Sequence, residues 1–170
     1  MRGGVAVSRY AAETAVPVER SRAEIEQTLV RYGASEFQSG WTADMAMIGF
    51  RIKGLLVRIA LPIPKRDEPR FLWRVVRKAR VRSTEKQAEA AWQQEVRQRW
   101  RALALVVKAK LEAVECRIST LEEEFLAFIV MPDRRTIGEW FVKEALPAMA
   151  ANRMPALPAA STPTEGRHEE

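Results

Sequence analysis

Between Glu85 and Ile118 the chain contains no Asp, Gly or Pro, and apolar residues recur there at steps of three and four: Trp92, Val96, Trp100, Leu103, Val107, Leu111, Val114 and Ile118. A 3.6-residue turn brings side chains so spaced onto one face of an α-helix. The stripe therefore predicts one continuous helix, about 50 Å long at 1.5 Å per residue. Such a helix crosses any sheet that a single domain of 170 residues can build and projects beyond it. Leu105 and Val106 lie off the stripe, so part of the helix is expected to be covered on a second side. A stripe longer than three strands can cover also predicts a homo-oligomer.

The segments before it change period. "SEFQSGWT", "MAMIGFRI" and "LLVRIALPI" alternate with a period near two and are joined by short turns at Ala43-Asp44 and Lys53-Gly54. Ala46, Ile48, Phe50 and Ile52 share one face, as do Leu55, Val57, Ile59 and Leu61, with Arg58 pointing away. The pattern predicts a three-stranded antiparallel meander closed by Pro62 and Pro64. Upstream, "SRAE" reads as a capping box in which Ser21 and Glu24 satisfy each other's backbone N–H groups. Ile25, Leu29 and Tyr32 follow at helical spacing until Gly33.

Two more capping boxes follow the long helix. "TLEE" from Thr120 leads into Leu121, Phe125, Phe128 and Ile129 until Pro132. "TIGE" from Thr136 leads into Ile137, Trp140, Phe141 and Ala145 until Pro147. The expected fold class is α+β: an N-terminal helix, a three-stranded antiparallel meander, a long helix packed on the sheet, and two short C-terminal helices. Residues 1–20 read as a flexible leader, 21–152 as one domain with a basic arm at 65–84, and 153–170, rich in Pro, Ala and Ser, as a disordered tail.

Much familiar chemistry is missing. The only histidine, His168, sits in the tail, so a histidine general base in a packed site is excluded. Cys116 is alone, which rules out an intrachain disulfide or a cysteine-based zinc site. There is no glycine-rich phosphate loop, and no cofactor is expected. The acidic run Glu122-Glu123-Glu124 falls at a helix N-terminus, where it offsets the macrodipole. A carboxylate nuclease using Mg²⁺ with Glu122 or Asp133 is the minor alternative to a protein without catalytic residues. The apolar runs "ALALVV" and "FLAFIVM" are far too short to span a bilayer; with no signal peptide in view, a cytoplasmic protein is expected, with no membrane partner.

Charge is the remaining signal. Residues 65–82 hold eight basic side chains (Lys65, Arg66, Arg70, Arg74, Arg77, Lys78, Arg80 and Arg82) against Asp67 and Glu68, a net of +6. That equals the net charge of the whole chain; the other residues hold twenty basic and twenty acidic groups and cancel. Arginine's planar fork suits phosphate. Phe71 and Trp73, interleaved with it, suit base stacking at about 1–3 kcal/mol per base. On the long helix Arg97, Arg101 and Lys108 fall within one arc, and Arg99, Lys110 and Arg117 within another.

The arm reads equally as a helix, with Leu72, Val75, Val76 and Ala79 on one face, or as an extended segment in which Phe71, Trp73 and Val75 alternate with Leu72, Arg74 and Val76. Trp41, Trp92, Trp100 and Trp140 read as core or oligomer-interface residues. The expected partner is nucleic acid, single-stranded DNA in preference, bound by Lys65, Arg66, Arg70, Trp73, Arg74, Arg77, Lys78, Arg80, Arg82, Arg97 and Arg101. A protein partner at the same arm is the alternative.

In "VPVERSRAEIEQTLVRYGA", "RWRALALVVKAKLEAVE" and "EEFLAFIVMPDRRTIGEW" the chain resembles small proteins encoded in bacteriophage and prophage genomes. The resemblance covers most of the expected domain and supplies no catalytic residues. It implies a phage setting in a bacterial host, where small basic proteins act in DNA recombination or replication or antagonise host defence. A meander followed by a long helix is also similar in architecture to the β-β-β-α core of single-strand annealing proteins, a likeness of fold alone.

Overall fold

Pro17 opens the first helix. Its extended backbone (φ −60°, ψ 153°) leads directly into α1 (Val18–Arg31). The computed structural model describes residues 15–156, so most of the leader expected over 1–20 and of the tail expected over 153–170 lies outside the described residues, while residues 18–20 of that leader already belong to α1. The Ser21 capping box does not form. Ser21 is wholly buried inside α1, its backbone N–H donates to the Pro17 carbonyl at 3.2 Å, and its hydroxyl finds no partner among the described residues. Ser21, Ile25 and Leu29 all lie buried, one turn apart, so the helix starts early enough to carry that face. Its end is as expected: Gly33 adopts φ +83°, and Gly33 and Ala34 donate to the Val30 and Leu29 carbonyls at 3.0 and 2.9 Å. This is a Schellman cap, which glycine accommodates without strain.

The meander follows as β1 (Ser35–Trp41), β2 (Met45–Ile52) and β3 (Leu55–Pro62), antiparallel in that order. Lys53 and Gly54, both at positive φ, make the two-residue hairpin turn between Ile52 and Leu55. In β1 an extra residue at Glu36 (φ +58°) bulges the strand between Ser35 and Gln38, and Glu36 is held by Arg51 Nε at 3.0 Å. Alternation places Ala46, Ile48, Phe50, Ile52, Val57 and Ile59 on the buried face.

Thr84 caps the long helix α3 (Glu85–Glu115) in a capping box with Gln87. Trp100, Leu103, Ala104, Val107 and Leu111 are buried in one core with Ile25, Leu29 and the sheet's inner face. The stripe ends sooner than its spacing suggests. Arg117 turns to φ +57°, and Arg117 and Ile118 donate to the Val114 and Ala113 carbonyls at 3.1 and 2.9 Å. This is another Schellman cap, with arginine where glycine is usual, and it leaves Ile118 80% exposed beyond the helix. Leu105 is half-buried and Val106 exposed, so second-side cover is slight. Contacts from α1 and from the segment after β3 provide the cover that three strands cannot.

The C-terminal part departs from two plain helices. α4 (Leu121–Phe125) is capped by Thr120 as expected, but a 3₁₀ turn (Leu126–Phe128) ends it. Ile129 then bridges to Val57, Val130 N–H donates to the Leu56 carbonyl at 2.8 Å, and this segment covers the free edge of β3. The chain is extended there because β3 offers hydrogen bonds that a continued helix could not reach. Thr136 caps α5 (Ile137–Trp140), a π turn follows (Phe141–Ala145), and α6 (Leu146–Ala150) contains Pro147. Pro147 thus does not stop the run. The wider π turn ends two positions before Pro147, which has no N–H to give and whose ring crowds the preceding turn. Trp140 Nε1 donates to the Ala156 carbonyl at 3.3 Å, drawing the start of the tail back. Among the described residues no helix is long and apolar enough to cross a membrane.

α5 lies close to the 3₁₀ turn. A Cβ placed on Gly138 would stand 2.7 Å from the Ala127 carbonyl oxygen, a contact with backbone that cannot swing aside. Gly138→Ala is expected to lower stability by about 1–3 kcal/mol. Gly40→Ala, which meets nothing within 4 Å, serves as the control. Denaturant midpoints measure both, and equal midpoints would contradict the packing described.

Candidate nucleic-acid interface

The basic segment is a ribbon standing off the body. After one helical turn, α2 (Pro69–Leu72), the chain forms β4 (Trp73–Val76) and β5 (Ala79–Arg82), an antiparallel pair separate from the main sheet. The extended reading of the arm is therefore the correct one. The helix that would align Leu72, Val75, Val76 and Ala79 is absent, because β-branched valines and a hairpin turn favour strands. The register pairs Trp73 with Arg82, Arg74 with Val81, Val75 with Arg80 and Val76 with Ala79. One face thus carries Trp73, Val75, Arg80 and Arg82, and the other Arg74, Val76, Ala79 and Val81.

Arg77 (φ +48°) and Lys78 (φ +68°) form the tip. Two left-handed residues match the twist of a two-residue hairpin. Here neither is Gly or Asn, which costs about 1 kcal/mol or more per residue.

The ribbon is anchored at its root. Phe71 is buried, so it packs into the body and is not free to stack on a base, contrary to expectation. Ser83 N–H donates to the Leu72 carbonyl at 2.8 Å, closing the ribbon's base. Trp73 is 40% exposed and carries the Arg80 guanidinium 5.0 Å from its ring centre.

Ion pairing sorts the expected site residues into two sets. Arg74, Arg77, Lys78, Arg80 and Arg82 have no carboxylate partner among the described residues, and every residue of the two strands is exposed. The others are largely engaged in holding the fold. Arg66 meets Glu89 at 3.4 Å and lies 4.1 Å over the Trp92 ring. Arg70 bridges Glu68 at 2.9 Å and Glu95 at 3.3 Å. Arg101 pairs with Glu24, tying α3 to α1, and Arg97 donates to Gln94 at 2.6 Å. Lys65 is exposed; its backbone N–H, not its ammonium, is held by Glu68. Of the other basic arc, two members are spent in the same way, Arg99 on Glu95 and the Pro62 carbonyl and Lys110 on Glu124, while Arg117 lies past the end of α3 and is exposed.

A cleft of about 1160 Å³ lies beside the ribbon's root, between the start of α1, the β1–β2 turn, the segment after β3 and the first half of α3. Arg22, Trp41, Lys65, Arg66, Trp92 and Arg97 are among its lining residues. Trp41 is 71% exposed, not core, with the Arg22 guanidinium 5.4 Å from its ring centre. Trp92 is half-buried and donates from Nε1 to the Pro64 carbonyl at 2.7 Å. Arg22 and Trp41 carried no signal in the sequence, because only the fold brings α1 and the end of β1 together.

The carboxylates named for Mg²⁺ do not gather. Asp133 accepts from the Arg135 backbone N–H at 3.0 Å and from its Nε at 2.8 Å, and Glu122 is exposed in the first turn of α4. Among the described residues no group of three or more His, Cys, Asp or Glu could hold a metal. The backbone N–H of Arg135 and then its side chain hold the Asp133 carboxyl below its ordinary range. Hydrogen bonds from Ser119 and then Lys110 do the same for Glu124. No family model, curated protein or solved structure matches the chain, so the site is read from its own geometry.

Two outcomes follow. Because both carboxyls titrate lower when folded, the unfolded chain binds more protons as the pH drops below about 4. The stability these groups add is full above that pH and is lost as pH falls through their folded values. Asp133→Asn with Glu124→Gln should flatten the acid limb of a plot of melting temperature against pH; an unchanged limb would contradict it. Second, Arg101→Ala should cost up to about 1 kcal/mol, whereas Arg74→Ala should stay within about 0.5 kcal/mol of the parent in the same melts.

Proposed function

We propose that the chain is a non-catalytic nucleic-acid-binding protein that engages phosphates through the β4–β5 ribbon, with a preference for single-stranded DNA. The observation that carries the reading is the set of five ribbon cations without a compensating carboxylate among the described residues. Charge left uncompensated on an element that contributes no buried side chain is free to meet an anion. The strained tip supports it further: Asn-Gly would turn the chain more easily, yet two cations stand there. Trp73 supplies an aromatic surface that a splayed base, but not a paired one, can reach. A place in phage recombination or repair, in the cytoplasm of a bacterial host, belongs to the same proposal.

A second reading draws on a different observation. Among the described residues the ribbon has no third strand on either side, and Val75 is 76% exposed. Open edges and exposed valines suit strand addition to a protein partner, either a host defence protein or another phage protein.

Salt separates the two. Five phosphates neutralised on a single strand give a slope of about −3.5, so affinity for a labelled oligonucleotide should fall about a hundredfold between 50 and 200 mM salt. Fluorescence anisotropy with single- and double-stranded probes measures it. Replacing Arg74, Arg77, Lys78 and Arg80 with Ala should abolish binding. Exchanging Arg77-Lys78 for Asn-Gly should firm the turn yet reduce the slope by about 1.4. Absence of binding to either probe at low salt would defeat the nucleic-acid reading and leave the protein partner.

A further inference from the structure

We propose that the cleft beside the ribbon takes one nucleotide of the bound strand, its base on the Trp41 indole and its phosphate against Lys65 and Arg97. The inference rests on the nucleic-acid reading and adds a second, chemically different subsite to it.

The lining has a direction. Lys65 has no carboxylate on its ammonium among the described residues, and Arg97 is bound to the neutral amide of Gln94, so both keep their charge for an anion. Arg22 donates to the neutral Ser39 hydroxyl at 2.5 Å, while its Nε is buried with no partner among the described residues. Glu19, Asp44 and Asp67 also line the cleft. They would repel a bare phosphate but accept from the exocyclic amine of a base such as cytosine. A ligand that is anionic at one end and donates hydrogen bonds at the other fits both sets, and a nucleotide is such a ligand.

Trp41 completes the match. One ring face is set by Arg22, and an indole otherwise left in solvent at the edge of a cleft is a surface for stacking. Trp92, by contrast, is fixed by Pro64 and covered by Arg66, so it shapes the wall and does not stack. The volume, about 1160 Å³, exceeds the usual range of closed small-molecule pockets, about 300–1,000 Å³. That suits an open trough for one unit of a longer chain. Position agrees as well: Asp67 on the cleft wall and Trp73 on the ribbon are six positions apart in the chain, so the two lie within about 20 Å. A single strand can occupy both.

The test uses the full chain with dCMP, cytidine and inorganic phosphate as separate probes, followed through the Trp indole N–H resonances by NMR. The expected result is a shift of the Trp41 resonance by dCMP. Trp41→Ala should weaken dCMP binding, read on the remaining indoles, by about five- to 150-fold, the range of one stacked base. Lys65→Ala should weaken dCMP but not cytidine. Trp41 and Lys65 are exposed, so both variants should melt as the parent does. Unmoved resonances at millimolar dCMP, or equal shifts from inorganic phosphate alone, would overturn the inference. The ribbon variant should bind dCMP as the parent does. Failure of dCMP with oligonucleotide binding intact removes the cleft alone, and failure of the oligonucleotide with dCMP bound removes the ribbon alone.

Discussion

The structure depends on the burial of one face of α3. Trp100, Leu103, Ala104, Val107 and Leu111 are the surface on which the sheet's inner face, α1 and α4 all converge. Phe125 meets Phe50 edge to face, with ring centres 5.8 Å apart, and a buried ring of this kind is worth about 3–5 kcal/mol relative to alanine. No layer closes without α3: three strands alone expose one apolar face, and α1 alone is too short to cover it. The same helix serves as a mast for the candidate site. Its first half holds the segment after β3 through the Trp92–Pro64 hydrogen bond, the Arg66–Glu89 and Arg70–Glu95 pairs and buried Phe71. That segment forms the cleft wall and the ribbon's root together.

The parts of the fold legible in the sequence are those governed by a repeated period. The α3 stripe, the alternation in β2 and β3, and the Thr84, Thr120 and Thr136 starts all arise from neighbours within one element. Departures came where a distant partner decided the outcome, as at Ser21 and Ile129, or where a residue took a place in the backbone that its type disfavours, as at Arg117 and Pro147. Ser21 has the right neighbours for a cap but lies on the core face of a longer helix. Ile129 continues a helical spacing but finds the open edge of β3. Arg117 ends α3 from a left-handed conformation in which glycine would be expected. Pro147 sits within a helical run because a π turn precedes it.

The candidate site was legible as a density of charge but not as a set of residues. Counting cations along the chain cannot reveal which are compensated, because the compensating acids are far away in sequence. Glu24 reaches Arg101, Glu89 reaches Arg66, and Glu95 reaches Arg70. The fold separates cations that hold elements together from those on the ribbon that do not. Phe71 and Trp73, two residues apart, divide in the same way, one into the core and one to the surface.

A two-stranded ribbon leaves a row of unpaired N–H and C=O groups along each outer edge, the usual template for copies of a chain to stack edge to edge. Arg74, Arg80 and Arg82 place like charges on the two strands, and Arg77 and Lys78 add two more at the tip, so two ribbons repel before their backbones can meet. The sequence therefore carries its own guard against aggregation at the point where its backbone is least protected. That guard depends on ionic strength, since mobile ions screen the repulsion beyond about 8 Å at physiological salt. The cations that guard the ribbon are the same five proposed to hold phosphates, so a substitution made to test one role also bears on the other.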